Sequence, residues 1–336
     1  MASCEAQLAT TPVPTGRLLA PATATAGLPA GFPKAVDSPM AWVGAEITAE
    51  GEHILQLSSE DVSEAEAALD RFKDLGLDGD CITRDNFPLP NLGRKLDGIR
   101  QEVHKGKGFG VIRGLDPEKY SVEDLTMLYL GLQSFVANRQ GRQDSKGNMM
   151  ASGGKCILAS CYTVYNVLAN ERPDLVRALA GSDWPFAIPE FQCRPVLFNH
   201  EGRLIMNFGR TPLIGSPAHP RSSNLPSLSP RQQEALDAIE GIARATELEL
   251  VTRPGDIHFI NNLAVLHRRD GFVNGDSATE RRHLVRMRLR DDELGWAIPD
   301  DLKREWSKAF DETRKSKAWH IEPMPSGYFP LRKQPN

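Results

Sequence analysis

The sequence predicts an α+β fold, mainly β with inserted helices. Three observations carry that expectation. Short apolar runs bounded by Gly, Pro, Asn or Asp recur along the chain, 109–115 and 257–260 among them, and such runs read as strands. Longer stretches place apolar residues at helical spacing, as Leu92, Leu96, Ile99 and Val103 do. The turn Pro254-Gly255-Asp256 stands directly before one of the apolar runs. A chain of 336 residues, 40% hydrophobic and 25% charged, has the balance of an ordinary globular protein.

Residues 1–35 are rich in Ala, Thr and Pro and carry too little apolar periodicity to bury, which predicts a disordered tail. A single domain is expected over 36–330. A strand is expected over 41–47, where Trp42-Val43-Gly44 suits extended backbone. Ala65, Ala68, Leu69 and Phe72 predict a helix over 63–75, with cap candidates from Ser59 to Ser63. A second helix is expected over 92–104, broken by Gly106 to Gly110. A short buried strand follows at 109–115. Ser121 caps a long apolar helix that reaches Ala137. Residues 139–154 read as a polar loop with no strand in it. A strand at 155–159, a helix opening at 162–168 and a helix over 172–179 come next. A hairpin joins 196–198 to 203–208 through Asn199-His200-Glu201-Gly202. Residues 212–230 form a Pro/Ser-rich loop of the kind that lines an active-site mouth. Ser229 and Pro230 open a helix that runs to Ala245. Strands return at 247–251, 257–260, 265–266 and 283–289.

Charge and composition exclude several classes of function. The net charge is -4, and no stretch interleaves aromatics with Lys and Arg, so no nucleic acid partner is expected. No apolar run approaches the roughly 20 residues that span a bilayer, so no membrane partner is expected either. The five cysteines show no CxxC spacing and read as reduced thiols, not as a disulfide framework or a zinc site. The N-terminus lacks the charged and apolar regions of a secretory signal. The expectation is a cytoplasmic protein with a small-molecule substrate.

The chemistry concentrates in two runs. In the first, the Pro254-Gly255-Asp256 turn leads into the strand 257–260, and His267 ends the next apolar stretch, Leu263 to Leu266. The second is Arg281-Arg282-His283-Leu284-Val285-Arg286, whose spacing puts Arg282 and Arg286 on one side of a strand. A neutral imidazole that ligates a metal, beside a guanidinium that pairs with a carboxylate, is half of a site for a metal-bound 2-oxo acid. Upstream lie Gly153-Gly154-Lys155-Cys156 before a helix, and Arg172-Pro173-Asp174-Leu175.

In this order and spacing, these pieces resemble the taurine dioxygenase-like family of Fe(II)/2-oxoglutarate oxygenases. Tyr162-Thr163-Val164-Tyr165-Asn166 is most similar to fungal members. The resemblance implies a double-stranded β-helix, or jelly roll, with iron held in its mouth by a His-x-Asp/Glu pair and a distal His. It makes His267 the distal iron ligand. It pairs Arg282 with the C5 carboxylate of 2-oxoglutarate, and Arg286 shares that task or faces the substrate. Cys156 falls where the family has a Thr or Ser hydroxyl near the same carboxylate, and a thiol is a poorer donor. The implied reaction oxidises a small organic substrate, within fungal specialised metabolism, while 2-oxoglutarate becomes succinate and carbon dioxide.

One part of the pattern is missing: no His-x-Asp/Glu precedes His267. Among the eight histidines only His320 has an acid two places on, Glu322, and that pair follows the distal His. It reads as chance. The join between Met150 and Ala151 resembles a deletion that removes at least two strands and the whole His-x-Asp half-site, leaving the jelly roll incomplete. One function class is an oxygenase whose triad is completed by another residue, a partner chain or a longer product. The alternative is a catalytically impaired or vestigial binding protein of the same family. A skipped exon in the gene model is a third reading. His258 reads as structural, Tyr162 and Tyr165 as packing residues, and Asp144 and Glu201 as solvated loop acids.

Overall fold

The computed structural model describes residues 19, 27–47, 53–141, 155–217, 219–269, 287–310, 318–319 and 329–330. The first elements are β1 (Ile54–Gln56), α1 (Ser59–Asp74), α2 (Leu92–His104), β2 (Phe109–Arg113), α3 (Val122–Ser134) and β3 (Arg139–Gly141). Next come β4 (Lys155–Ser160), α4 (Cys161–Glu171), α5 (Pro173–Leu179), β5 (Pro185–Phe186), β6 (Gln192–Cys193), β7 (Leu197–His200) and β8 (Arg203–Met206). Then follow α6 (Arg210–Ile214), α7 (Pro230–Thr246), β9 (Leu248–Val251), β10 (Ile257–Ile260) and β11 (Val265–Arg269). The last are β12 (Arg288–Arg290), α8 (Asp300–Ala309), β13 (Ala318–Trp319) and β14 (Phe329–Pro330). Among the described residues no helix is long and apolar enough to cross a membrane.

The chain divides into two compact units. One draws on 50–156, 250–261 and 269–336. Its sheet has the order β1-β2-β10. β1 runs parallel to β2, with Ile54 opposite Val111, and β10 runs antiparallel, with Ile257 opposite Ile112 and His258 opposite Val111. Alternation along the strands sends Ile112, Ile257 and Phe259 to one face. There they join Phe72, Leu92, Leu96, Leu128 and Leu132 in an apolar core. His258 and Arg113 turn to the other face, and this separation positions the polar groups described below.

Local signals account for the helices of this unit. α2 buries Leu92, Leu96, Ile99 and Val103 along one side, over the span that periodicity predicts. α1 starts at Ser59, ahead of the apolar periodicity, because Ser58 and Asp61 form a reciprocal capping box. The expected loop at 139–154 is corrected at its start, where Arg139–Gly141 forms β3. This polar strand pairs antiparallel with β12, Leu289 standing opposite Gln140, and backbone pairing of that kind leaves no apolar alternation to read. The remainder of that loop, with the Met150/Ala151 join, lies outside the described residues.

The second unit draws on 1–49, 157–249 and 262–268. α4, α5 and α7 pack on one another, and Leu168, Leu175, Leu179, Leu236 and Ile239 are fully buried. The three-stranded sheet has the order β11-β4-β9, and β7 and β8 form the expected hairpin. Its two-residue turn places Glu201 at φ 49° and Gly202 at φ 72°, the left-handed pair that matches the twist of a tight hairpin. α7 opens with Pro230 and a capping box between Ser229 and Gln232. The strand expected over 41–47 is instead a 3-10 turn at Gly44–Glu46. A Cβ on Gly44 would stand 2.0 Å from the Glu247 carbonyl oxygen, so this segment is pressed against another stretch of backbone and pairs with no strand there. The first residues of the 212–230 loop belong to α6.

Candidate functional site

The Pro-Gly-Asp turn is built on conformation and charge together. Gly255 sits at φ 80°, and a Cβ there would meet the Leu115 carbonyl oxygen at 2.0 Å, so only glycine fits. The turn buries the Asp256 side chain, to which Arg113 donates from Nε at 3.0 Å and from Nη2 at 2.9 Å. Arg113 Nη2 also donates to the Val251 carbonyl at 2.9 Å, and the Arg253 amide donates to Asp256 Oδ2 at 2.8 Å. Burial alone would raise the Asp256 carboxyl. Its interactions with His258, Arg113 and the Arg253 amide outweigh that and hold it well below the usual carboxylate range.

His258 follows two residues later, on the same side of the chain. Its Nε2 lies 3.9 Å from Asp256 Oδ2, too long for a hydrogen bond and close enough for charge to act. That nitrogen is buried with no hydrogen-bond partner among the described residues. Cys156, on β4, is half-buried. Burial would push the imidazole down, but Asp256 and Cys156 together raise it to about 9. The sequence reading of His258 as structural thus lacks a charged setting that the structure supplies. Asp-x-His spacing was the available signal, since residues two apart on extended backbone share a side. Nothing local points to Cys156, which comes from a distant strand.

The other expected site residues are less assembled. His267 is exposed on β11 in the second unit. Its neighbour Arg268 pairs with Glu247 at 2.7 Å and 3.1 Å. Arg282, Arg286, His320 and Glu322 lie outside the described residues. Among the described residues no three His, Cys, Asp or Glu side chains converge as a metal-binding group. Arg172-Pro173-Asp174-Leu175 is a structural clamp. Arg172 grips Asp174 at 2.9 Å and 2.7 Å and Glu234 at 2.7 Å, while Arg231 adds a second cation to Asp174. Arg172 foremost holds the Asp174 carboxyl below its ordinary value, against burial.

Solved structures share the fold. One is asparagine oxygenase in complex with Fe(II), 2S,3S-3-hydroxyasparagine and succinate, at TM-score 0.50 and 15% identity, covering 73% of this chain and 99% of that one. Another is the non-heme iron oxygenase OrfP in complex with Fe, at TM-score 0.52 and 12% identity, covering 74% and 97%. The fold is thus the jelly roll with inserted helices on which those oxygenases are built. A model of the taurine catabolism dioxygenase TauD, TfdA family matches residues 148–288. The taurine hydroxylase-like protein SAT17 of Stachybotrys chartarum is 33% identical over 339 aligned positions, covering 85% of this chain and 88% of that relative. The chain belongs to the TauD/TfdA family.

Proposed function

We propose that this chain is an Fe(II)/2-oxoglutarate-type oxygenase of the taurine dioxygenase-like family, acting on a small organic substrate in fungal specialised metabolism. The main support is the relative similar along nearly the whole of both chains. The described order of Pro-Gly-Asp turn, β10 and β11 bearing His267 agrees with it. In this reading His267 is the distal iron ligand and Arg282 takes the far carboxylate of 2-oxoglutarate. Arg286 shares that carboxylate or faces the substrate, and Cys156 stands beside it.

The described donors do not fit iron by themselves, because a facial triad needs three protein ligands and no such group converges among the described residues. A second observation points the same way. The 85% of the 336 residues that align are about 286, fewer than the 339 aligned positions, so about 50 positions are filled by the relative alone. Both favour a second reading of the chain as written: a catalytically impaired family member that lacks a segment, placed by the sequence at Met150/Ala151.

Anaerobic Fe(II) titration, 2-oxoglutarate calorimetry and succinate assay separate the readings. The oxygenase reading expects a stoichiometric, submicromolar iron site that is lost in His267→Ala. The impaired reading expects iron bound no more tightly than by a surface histidine. Both expect Arg282→Ala to weaken 2-oxoglutarate about tenfold to a hundredfold, and Arg286→Ala to weaken it less. Cosubstrate binding indifferent to both arginines would sink them together. Iron binding gained by a chain carrying a family-derived segment between Met150 and Ala151 would locate the missing half-site there.

A further inference from the structure

From Gly202 to Gln233 the sequence carries no Asp or Glu, yet it carries four arginines. Two of them find acids elsewhere in the fold. Arg210 donates to Asp237 at 2.7 Å and to Glu240 at 2.6 Å, and Arg231 to Asp174 at 2.5 Å and to Glu234 at 3.0 Å. Arg221 is different. Its Nη2 donates to the Pro226 carbonyl at 2.7 Å, and its Nη1 is buried with no hydrogen-bond partner among the described residues. The loop fixes where this side chain starts. Gly215 turns at φ 78°, where a Cβ would stand 2.7 Å from the Arg221 amide nitrogen, and Ser216 and His219 exchange backbone hydrogen bonds at 2.9 Å and 3.0 Å. Asn207 Nδ2, at the start of the same segment, is a second buried donor without a partner among the described residues. Met206, just before it, donates its amide at 2.9 Å to the carbonyl of Leu263, in the run that leads to His267.

A guanidinium does not give up its proton in a protein, so the buried Nη1 of Arg221 is a charged donor that lacks an acceptor. Leaving such a group unpaired is costly, and an anion in its place removes the cost. Both orphans on the segment are donors, which calls for a ligand rich in acceptors. The planar fork of a guanidinium matches the two oxygens of a carboxylate. Ile214, the residue before Gly215, is 42% exposed and brings an apolar surface to the same turn. We propose that Arg221 binds the carboxylate of a small organic acid whose apolar part lies against Ile214. That this acid is the substrate is a consequence that rests on the oxygenase reading. The anion site stands without it.

The test uses the full chain, without added iron or 2-oxoglutarate, and hexanoate as the probe. Calorimetry should show stoichiometric binding, and Arg221→Gln should weaken it about tenfold to a hundredfold. Arg221→Lys keeps the charge and loses the fork, so its loss should be smaller. Phenylglyoxal modification of arginines, read out by peptide mass spectrometry, tests the unaltered protein. Hexanoate should slow modification of Arg221 and leave that of the exposed Arg71 and of Arg282 as it was. Hexan-1-ol, which has the tail and lacks the charge, should protect none of them. No protection of Arg221 by hexanoate overturns the proposal from the unaltered protein alone. Protection that falls on Arg282 in its place puts the probe at the cosubstrate position and overturns it too. Equal protection of Arg221 by sodium chloride at the same concentration, or unchanged hexanoate affinity in a folded Arg221→Gln chain, does the same. A failed iron titration sinks the oxygenase reading and moves none of these outcomes.

Discussion

Two buried Arg–Asp pairs behave differently in this molecule, and the contrast separates scaffold from candidate site. Arg172 and Asp174 are neighbours in sequence, and Glu234 and Arg231 of α7 close the network around them. Charge there is shared among two cations and two anions, and nothing is left over for chemistry. Arg113 and Asp256 come from positions 143 residues apart, and both are almost wholly buried. The carboxylate at that second pair also lies 3.9 Å from the His258 imidazole, whose Nε2 is still without a hydrogen bond among the described residues. A polar network with its capacity used up fastens the fold, while one with capacity to spare is where reactivity is to be sought.

The largest effect should come from breaking the two pairs separately. Arg113→Met leaves the buried Asp256 carboxylate with only the Arg253 amide and the more distant His258, and should cost about 3–5 kcal/mol. Arg172→Met leaves Asp174 with Arg231, so its loss should be about half as large. Urea denaturation of both variants measures the difference, and equal losses would remove the contrast.

Gly255→Ala tests the same turn through its backbone. The left-handed conformation together with the 2.0 Å approach to Leu115 O should cost about 3 kcal/mol. Gly202→Ala has a left-handed backbone and nothing within 4 Å of the added Cβ, so it should cost about 1–2 kcal/mol. If the two variants melt alike, the close approach at Gly255 is not felt.

The third test is pH. The folded imidazole of His258 is raised to about 9 from an ordinary value of 6.5, so its contribution to stability is fully present below pH 6.5. As pH rises the unfolded chain loses that proton first. The contribution therefore shrinks from 6.5 and is gone above about 9, a change on the order of 3 kcal/mol. Asp256 is shifted the opposite way, so its contribution is present above about pH 3.9 and is lost as pH falls. Denaturation at pH 6, 8 and 9.5 should show the alkaline decline in the unaltered chain and a flatter profile in His258→Gln. Parallel profiles would remove His258 from the charged network.

The smallest expected effect is at a cap remote from both pairs. Ser229→Ala removes the hydroxyl that accepts the Gln232 amide at 3.2 Å, and should cost about 1 kcal/mol. A loss comparable to that of Arg113→Met would mean that α7, and not the buried pair, limits stability.

Much of this was legible in the sequence because it is local. The span of α2 follows from apolar residues at helical spacing, the start of α7 from Ser229 and Pro230, and the hairpin turn from Glu201-Gly202. The order of motifs pointed to the family to which the chain belongs, since that pattern runs along the chain. The tertiary structure alone decided what depends on distant partners. β3 exists because β12 supplies its hydrogen bonds, and Gly44 turns because Glu247 lies against it. The buried charge of Asp256 needs Arg113 from another strand. Propensity, capping and alternation act over a few residues, whereas burial and charge pairing act between whichever residues the fold brings together.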